Sequence, residues 1–184
     1  MPPAMIFQLH LILGYLPWLL VFTVYLWPRL KSMDRVEAQR AIAALHSFRF
    51  FGLVFLIPGV VGPGLPAEFA TFAAYGDLTT GLLAMLAFLT IRVRFLFWPL
   101  VCAFNLVGAA DILIDYYHGV QVGIPELAGQ LGATYAIPII YVPLLMITHV
   151  AALYLLVRPR LEAGRALAGA RITSEVKAPS RSCA

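Results

Sequence analysis

The amino-acid sequence predicts an all-α fold, a polytopic membrane protein built as a bundle of five transmembrane helices. The chain has 184 residues, of which 61% are hydrophobic and 12% charged, and its mean hydropathy is +0.87. A soluble globule of this composition would have too little polar surface to cover its interior. Five apolar stretches are each long enough to cross a bilayer as a helix, which takes about 20 residues.

The predicted spans follow one another with short connections. They cover residues 5–27, 41–61, 68–90, 95–118 and 133–157. The first is read as a retained anchor and not a cleaved signal peptide, because its basic residues, Arg29 and Lys31, follow the apolar run. Residues 158–184 form a basic tail rich in Ala, Gly and Ser, for which we predict disorder.

The positions of lysine and arginine predict the orientation. Of the 13 such residues, four lie in residues 28–40, two are Arg92 and Arg94, six lie in the tail, and the last is Arg49. The positive-inside rule therefore predicts an N-terminus outside and a C-terminus in the cytoplasm. The net charge of +4 reflects this topology, so we expect no nucleic-acid partner.

The fourth span carries an unusual polar stripe in the stretch FNLVGAADILIDYYHG, residues 104–119. Asp111, Asp115 and His118 are spaced i, i+4 and i+7, so a helix places all three on one face. A carboxylate inside a membrane segment costs roughly 2.5–3.5 kcal/mol on insertion scales and normally faces a protein interior or a cavity. The stripe is therefore expected to lie near the functional site.

Asp77 and Asp111 lie on different predicted helices at comparable depth. With Asn105 and His149 they are predicted to line a cavity that binds a small ligand or an ion, or that relays protons. The alternative is structural, in which the acids only hold the helices together. Two ionised carboxylates close together would repel, so either one keeps its proton or a cation lies between them.

Arg49 lies near the inner end of the second predicted span. Counting 1.5 Å of rise per residue separates it from Asp77 by roughly 8 Å along the membrane normal. We therefore expect Arg49 to extend to the inner lipid headgroups and not to pair with Asp77. The alternative is an anionic ligand held by Arg49 and His46.

The histidines and the acidic stripe raise a second function class, a haem- or metal-bearing redox or hydrolytic enzyme. Two sets of histidines match in depth, one formed by His10 and His118 and the other by His46 and His149. Six-coordinate haem needs one axial ligand on each side of the macrocycle. Asp111, Asp115 and His118, with His10, have the chemistry of divalent-metal ligands. No specific motif supports either cofactor, so whether the chain is an enzyme stays open.

The expected partners follow from the membrane setting. They are membrane lipids, a small ligand, and either further copies of the chain or a larger membrane complex. In the last arrangement the chain would be a non-catalytic subunit that docks through faces rich in small residues, such as those of the third span.

A resemblance rests on four stretches, LHSFRFFGLVFLIPGVVGPGLP, AAYGDLTTGLLA, FNLVGAADILIDYYHG and YAIPIIYVPLLMITHVAALYLL. Together they resemble a group of small bacterial inner-membrane proteins to which no activity is assigned. The resemblance covers nearly all of residues 5–157. It implies a multi-pass protein of the bacterial cytoplasmic membrane and implies no reaction.

Overall fold

The computed structural model describes residues 1–158, and this part of the chain is helical, with no β-strand. Its α-helices are α1 Pro3–Val21, α2 Trp27–Ser32, α3 Arg35–His46, α4 Ala67–Leu89, α5 Arg94–Gln121 and α6 Val142–Val157. Two 3-10 helices cover Ser47–Leu56 and Ala128–Tyr135, and two π-helical turns cover Phe22–Leu26 and Ile137–Tyr141. The disorder predicted for the tail falls, apart from Arg158, outside the described residues.

Within residues 1–158, four continuous helices are long and apolar enough to cross a membrane. They are Pro3–Ser32, Ala67–Leu89, Arg94–Gln121 and Ile137–Val157, and they correspond to the first, third, fourth and fifth predicted spans. Large apolar side chains cover their outer surfaces, as at Leu20, Leu89 and Leu106, which are 66%, 67% and 61% exposed. An extended apolar exterior of this kind is compatible with a protein in contact with lipid.

The second predicted span, residues 41–61, is not one α-helix. Helix α3 begins six residues earlier, because the Asp34 carboxylate caps its N-terminus by accepting a hydrogen bond from the Val36 backbone N–H at 3.0 Å. After His46 the chain tightens into the 3-10 helix Ser47–Leu56. The early start and the change of pitch determine how far into the bundle this segment carries its polar side chains.

Helix α3 is attached to the end of α6. The Arg35 guanidinium donates hydrogen bonds to the backbone carbonyls of Leu155, Leu156 and Arg158, at 2.9, 2.6 and 2.6 Å. These carbonyls have no intrahelical partner, and a cation is favourable at a helix C-terminus. The segment that carries Arg49 is therefore held in place next to α6.

The core consists of two apolar clusters with polar side chains between them. The Phe69 cluster contains Phe7, Phe55, Leu65, Phe69, Ala70, Ala73, Ala74, Ile124, Ala128, Leu131 and Ile137. The Phe97 cluster contains Val36, Ala38, Ile42, Ala43, Ala84, Ala87, Phe97, Val101, Phe104, Ala152 and Leu155. Along α4, Ala74 belongs to the first and Ala84 to the second, while buried Asp77 lies between them. On α5 the Phe97 cluster includes Phe97, Val101 and Phe104, and the buried polar residues Asn105 and Asp111 follow them.

Candidate functional site

Arg49 is carried into the centre of the bundle by the 3-10 helix Ser47–Leu56. A 3-10 helix has three residues per turn, so side chains at i, i+3 and i+6 align on one face. His46, Arg49, Gly52 and Phe55 follow this spacing, and all four are buried. At Gly52 a Cβ would collide with the Asp77 carboxylate, so glycine lets this helix approach α4 closely.

The Arg49 guanidinium lies between two carboxylates. Its Nε donates to Asp77 Oδ1 at 2.6 Å, and its Nη2 donates to Asp111 Oδ2 at 2.6 Å. The three side chains are only 1%, 9% and 4% exposed. Space for Asp111 depends on Gly76 of α4, where a Cβ would collide with the Asp111 carboxylate. The cation that two neighbouring carboxylates require is therefore an arginine of the protein itself.

Arg49 also determines the tautomer of His149. Its Nη1 donates to the Gly108 carbonyl at 3.2 Å and lies 3.2 Å from His149 Nε2. Because a guanidinium has donors only, Nε2 must be the unprotonated nitrogen of the ring. The proton is then on Nδ1, which donates to Asn105 Oδ1 at 3.0 Å. His149 is therefore neutral, and both of its ring nitrogens are used.

The amide of Asn105 completes this chain of hydrogen bonds. Its Nδ2 donates to the Val101 carbonyl at 2.8 Å, one turn earlier on α5, which leaves Oδ1 as the acceptor for His149. We call Arg49, Asp77, Asn105, Asp111 and His149 the Arg49 network. Asp77, Asn105, Asp111 and His149 were predicted to line one cavity. The structure brings all four together around Arg49, but of the four only Asp77 lines the cavity described below.

The expected position of Arg49 was wrong. The sequence analysis separated it from Asp77 and directed it to the inner headgroups, whereas its side chain is buried and directly paired with Asp77. The 3-10 helix Ser47–Leu56 approaches α4 closely at Gly52, and the long Arg49 side chain extends from it to Asp77.

His46 and His149, one of the two histidine sets matched in depth, are in contact. Their ring centroids lie 4.0 Å apart with the planes inclined at 37°, so no macrocycle fits between the rings. His46 Nε2 is 3.0 Å from the Thr148 hydroxyl, and its buried Nδ1 has no partner among the described residues. The pair fits side-chain packing better than axial haem ligation.

The other proposed ligands have separate surroundings. His10 Nδ1 lies 2.9 Å from the Tyr135 hydroxyl, whereas His118 packs against the rings of Phe69 and Phe72. Within residues 1–158 no group of three or more His, Cys, Asp and Glu side chains is placed to hold one metal ion. The predicted metal site at Asp111, Asp115, His118 and His10 therefore does not assemble here.

A cavity of about 140 Å³ lies next to the Arg49 network. Phe7, Phe55 and Phe69 contribute rings to its apolar wall, and its polar lining consists of Gln8, Arg49, Asp77, Asp115 and Tyr116. Asp115 is one turn after Asp111 on α5, and its Oδ1 is buried with no hydrogen-bond partner in the described part of the chain. The cavity thus combines aromatic walls with a polar end whose hydrogen bonding is incomplete.

Sequence reasoning did not connect Gln8 or Phe7 with a binding site. Gln8 is one of only two strongly polar residues in the apolar run of residues 5–27, which was the one available signal. Tyr116 follows Asp115 directly, and its hydroxyl lies 3.1 Å from that of Tyr15 on α1. This contact joins α1 to α5 beside the cavity.

The family of the chain is shown by a sequence profile that matches residues 6–157. The profile describes a domain of unknown function, DUF8737. The chain belongs to this DUF8737 family. No curated protein and no solved structure matches it significantly. The matched region includes every residue of the Arg49 network and of the cavity lining, so the function has to be argued from their geometry.

Proposed function

We propose that this DUF8737 protein is a multi-pass protein of the bacterial inner membrane that binds a small ligand in the cavity beside the Arg49 network. The four long apolar helices provide four crossings. The continuous segment from Arg35 to Leu56 provides a fifth, because it packs against α4 and α6 inside the bundle. The N-terminus is outside and the C-terminus in the cytoplasm.

The distribution of charge supports this orientation. Within residues 1–158 the lysines and arginines other than Arg49 lie at the end of the bundle where α2 ends, α3 begins and α4 joins α5. The cavity is at the opposite end, between the start of α1 and the end of α5. By the positive-inside rule the cavity is on the outer side of the membrane.

The observation that carries the proposal is that an apolar cavity ends on buried charged groups. Arg49 and Asp77 line it although they are 1% and 6% exposed. A concave, mostly apolar site with a few convergent polar groups is the usual form of a small-molecule site. We assign Asp77 and Asp115 to the ligand's polar group, and Asn105, Asp111 and His149 to the positioning of Arg49.

Ligand binding is favoured over a proton relay by the place of Arg49. Its guanidinium lies between the carboxylates on one side and His149 on the other. A guanidinium does not give up a proton in proteins, so it cannot pass one from acid to histidine. Its fixed positive charge also repels a proton that would pass between the carboxylates and His149.

Binding of benzyl alcohol, a neutral probe of one ring, tests the proposal. A cavity of roughly 150 Å³ is known to hold one benzene-sized molecule. Calorimetric titration of the protein in lipid nanodiscs, with empty nanodiscs subtracted, should show saturable binding. Ala73→Leu adds three carbons at the cavity wall and should abolish binding, whereas Ala110→Leu on the exposed face of α5 should not. Equal binding by both variants would place the probe elsewhere and refute the proposed site.

The orientation is tested separately with single cysteines. In a protein with Cys102→Ser and Cys183→Ser, Glu126→Cys in the loop after α5 should react with a membrane-impermeant maleimide on intact cells. Arg92→Cys, at the opposite end, should react only after the membrane is opened. The reverse result would invert the topology.

A further inference from the structure

The charges around the cavity do not balance. Three carboxylates, those of Asp77, Asp111 and Asp115, stand against the single guanidinium of Arg49. His149 adds no charge, because its Nε2 accepts a hydrogen bond from Arg49 and its Nδ1 donates to Asn105. With all acids ionised, the group would carry a net charge of about −2 in a medium of low dielectric constant.

Asp115 is the carboxylate that lacks compensation. The ion pairs among residues 1–158 are Arg40–Glu37, Arg49–Asp77 and Arg49–Asp111, and none of them includes Asp115. His118, one turn further along α5, packs against phenyl rings and is not within ion-pair distance. A buried polar group with no partner is rare in native structures and requires an explanation. In this position a bound cationic group would compensate it.

The walls of the cavity indicate the rest of the ligand. The rings of Phe7, Phe55 and Phe69 face it. The Phe7 ring centroid lies 5.8 Å from that of Tyr135, and the Phe55 ring centroid lies 6.2 Å from that of Phe69. Aromatic walls favour both an apolar body and an adjacent cation, which is attracted to the ring faces. The volume of about 140 Å³ matches a ligand of about one ring. A bare metal ion would lack ligands along most of this surface.

We infer that the cavity binds a small organic cation, a protonated amine that carries one apolar group of about the size of a ring, with its ammonium group at Asp115. This inference rests on the proposed function, since it specifies the ligand class of the same site. An anion is disfavoured by the excess of carboxylates. A neutral ligand would provide no cationic partner for the buried Oδ1 of Asp115.

The test compares benzylamine, a cation at pH 7, with benzyl alcohol, its neutral counterpart, by calorimetric titration in nanodiscs. Benzylamine should bind the unmodified protein at least about tenfold more tightly, which is the effect of one hydrogen bond to a charged group. Asp115→Asn should remove that advantage, so that the affinities for the amine and the alcohol measured in this variant agree within about twofold. Asp115→Glu retains the charge and should retain the preference. Glu126→Gln removes an exposed acid at the same end of the bundle and should change neither affinity.

The outcomes separate the two proposals. Equal affinities for the amine and the alcohol in the unmodified protein, or a preference that survives Asp115→Asn, would overturn the cation site while the cavity stands. Failure of both probes to bind the unmodified protein would overturn the proposed function and the inference with it. A thermal unfolding transition of Asp115→Asn close to that of the unmodified protein shows that the variant is folded, so a lost preference for the amine cannot be attributed to unfolding.

Discussion

The Arg49 network and the cavity beside it share one helix, yet they differ in how well their polar groups are satisfied. Asp111 and Asp115 are one turn apart on α5. Asp111 accepts a hydrogen bond from Arg49 at 2.6 Å, whereas Asp115 has a buried oxygen with no partner. The network is a closed set of donors and acceptors that joins α4, α5, α6 and the 3-10 helix. In the cavity lining, Asp115 contributes a buried oxygen that no donor of the described residues satisfies.

This difference indicates that a polar residue inside an apolar helical bundle has two distinct uses. A group that is fully paired holds helices together, and its removal is expected to destabilise the fold. A group that is buried without a partner costs stability as long as the site is empty, and binding can recover that cost. The four predictions below test whether the two regions differ in this way, and they run from the largest expected effect to the smallest.

The largest effect is expected for Arg49→Met. Without the guanidinium, Asp77 and Asp111 are left as neighbouring buried acids, and breaking a buried pair in this way costs about 3–5 kcal/mol. We expect the folded fraction to fall sharply in titrations with sodium dodecyl sulfate.

Arg40→Met, which removes the half-exposed arginine that pairs with Glu37 at 3.5 Å, is the matched control and should change little. Adding Asp77→Asn and Asp111→Asn to Arg49→Met should recover part of the loss; no recovery would mean that charge is not the cause.

The next effect is expected for Gly76→Ala. The added methyl group would collide with the Asp111 carboxylate, and forcing extra volume into a packed core costs about 1–3 kcal/mol. Thermal unfolding in detergent measures the change. Gly129→Ala is the control, because a Cβ there meets no atom within 4 Å. Equal stability of the two variants would show that α4 and α5 can move apart without cost at this point.

A smaller loss is expected for Asn105→Leu. The substitution preserves size but leaves the Nδ1–H of His149 without its acceptor, and an unsatisfied buried donor costs about 1–2 kcal/mol. Nitrogen NMR of labelled histidine should still show the Nδ1–H form, because Arg49 continues to donate to Nε2. A mixture of tautomers in the variant would mean that Arg49 alone does not determine the tautomer of His149.

The smallest effect on stability is expected for Asp115→Asn. Since the side chain makes no ion pair in the described part of the chain, the free energy of unfolding should stay within about 0.5 kcal/mol or rise. Asp111→Asn on the same helix should be clearly destabilising in the same detergent titration. If the two variants lost stability equally, the distinction between a closed network and an open site would be wrong.

Several features of this protein could be predicted from single residues and their spacing. Apolar runs long enough to cross a bilayer predicted four helices that the structure contains, although the helix over 5–27 extends to Ser32 and that over 133–157 begins at Ile137. The cost of charge in lipid predicted that Asp77, Asn105, Asp111 and His149 face the interior, and all four are buried. Spacing by i, i+4 and i+7 placed Asp111, Asp115 and His118 on one helix, but it could not show that their surroundings would differ.

The amino-acid sequence by itself determined which residues must avoid lipid, because that follows from composition and helical periodicity alone. Only the tertiary structure decided which of them meet. Arg49 reaches Asp77 and Asp111 because Asp34 caps α3 early and a 3-10 helix follows, and Gly52 and Gly76 allow the close approach. The cavity depends on side chains from distant segments, among them Phe7, Phe55 and Ile124. The contacts of Arg49 and the shape of the cavity both depend on distances between helices, which no local sequence pattern specifies.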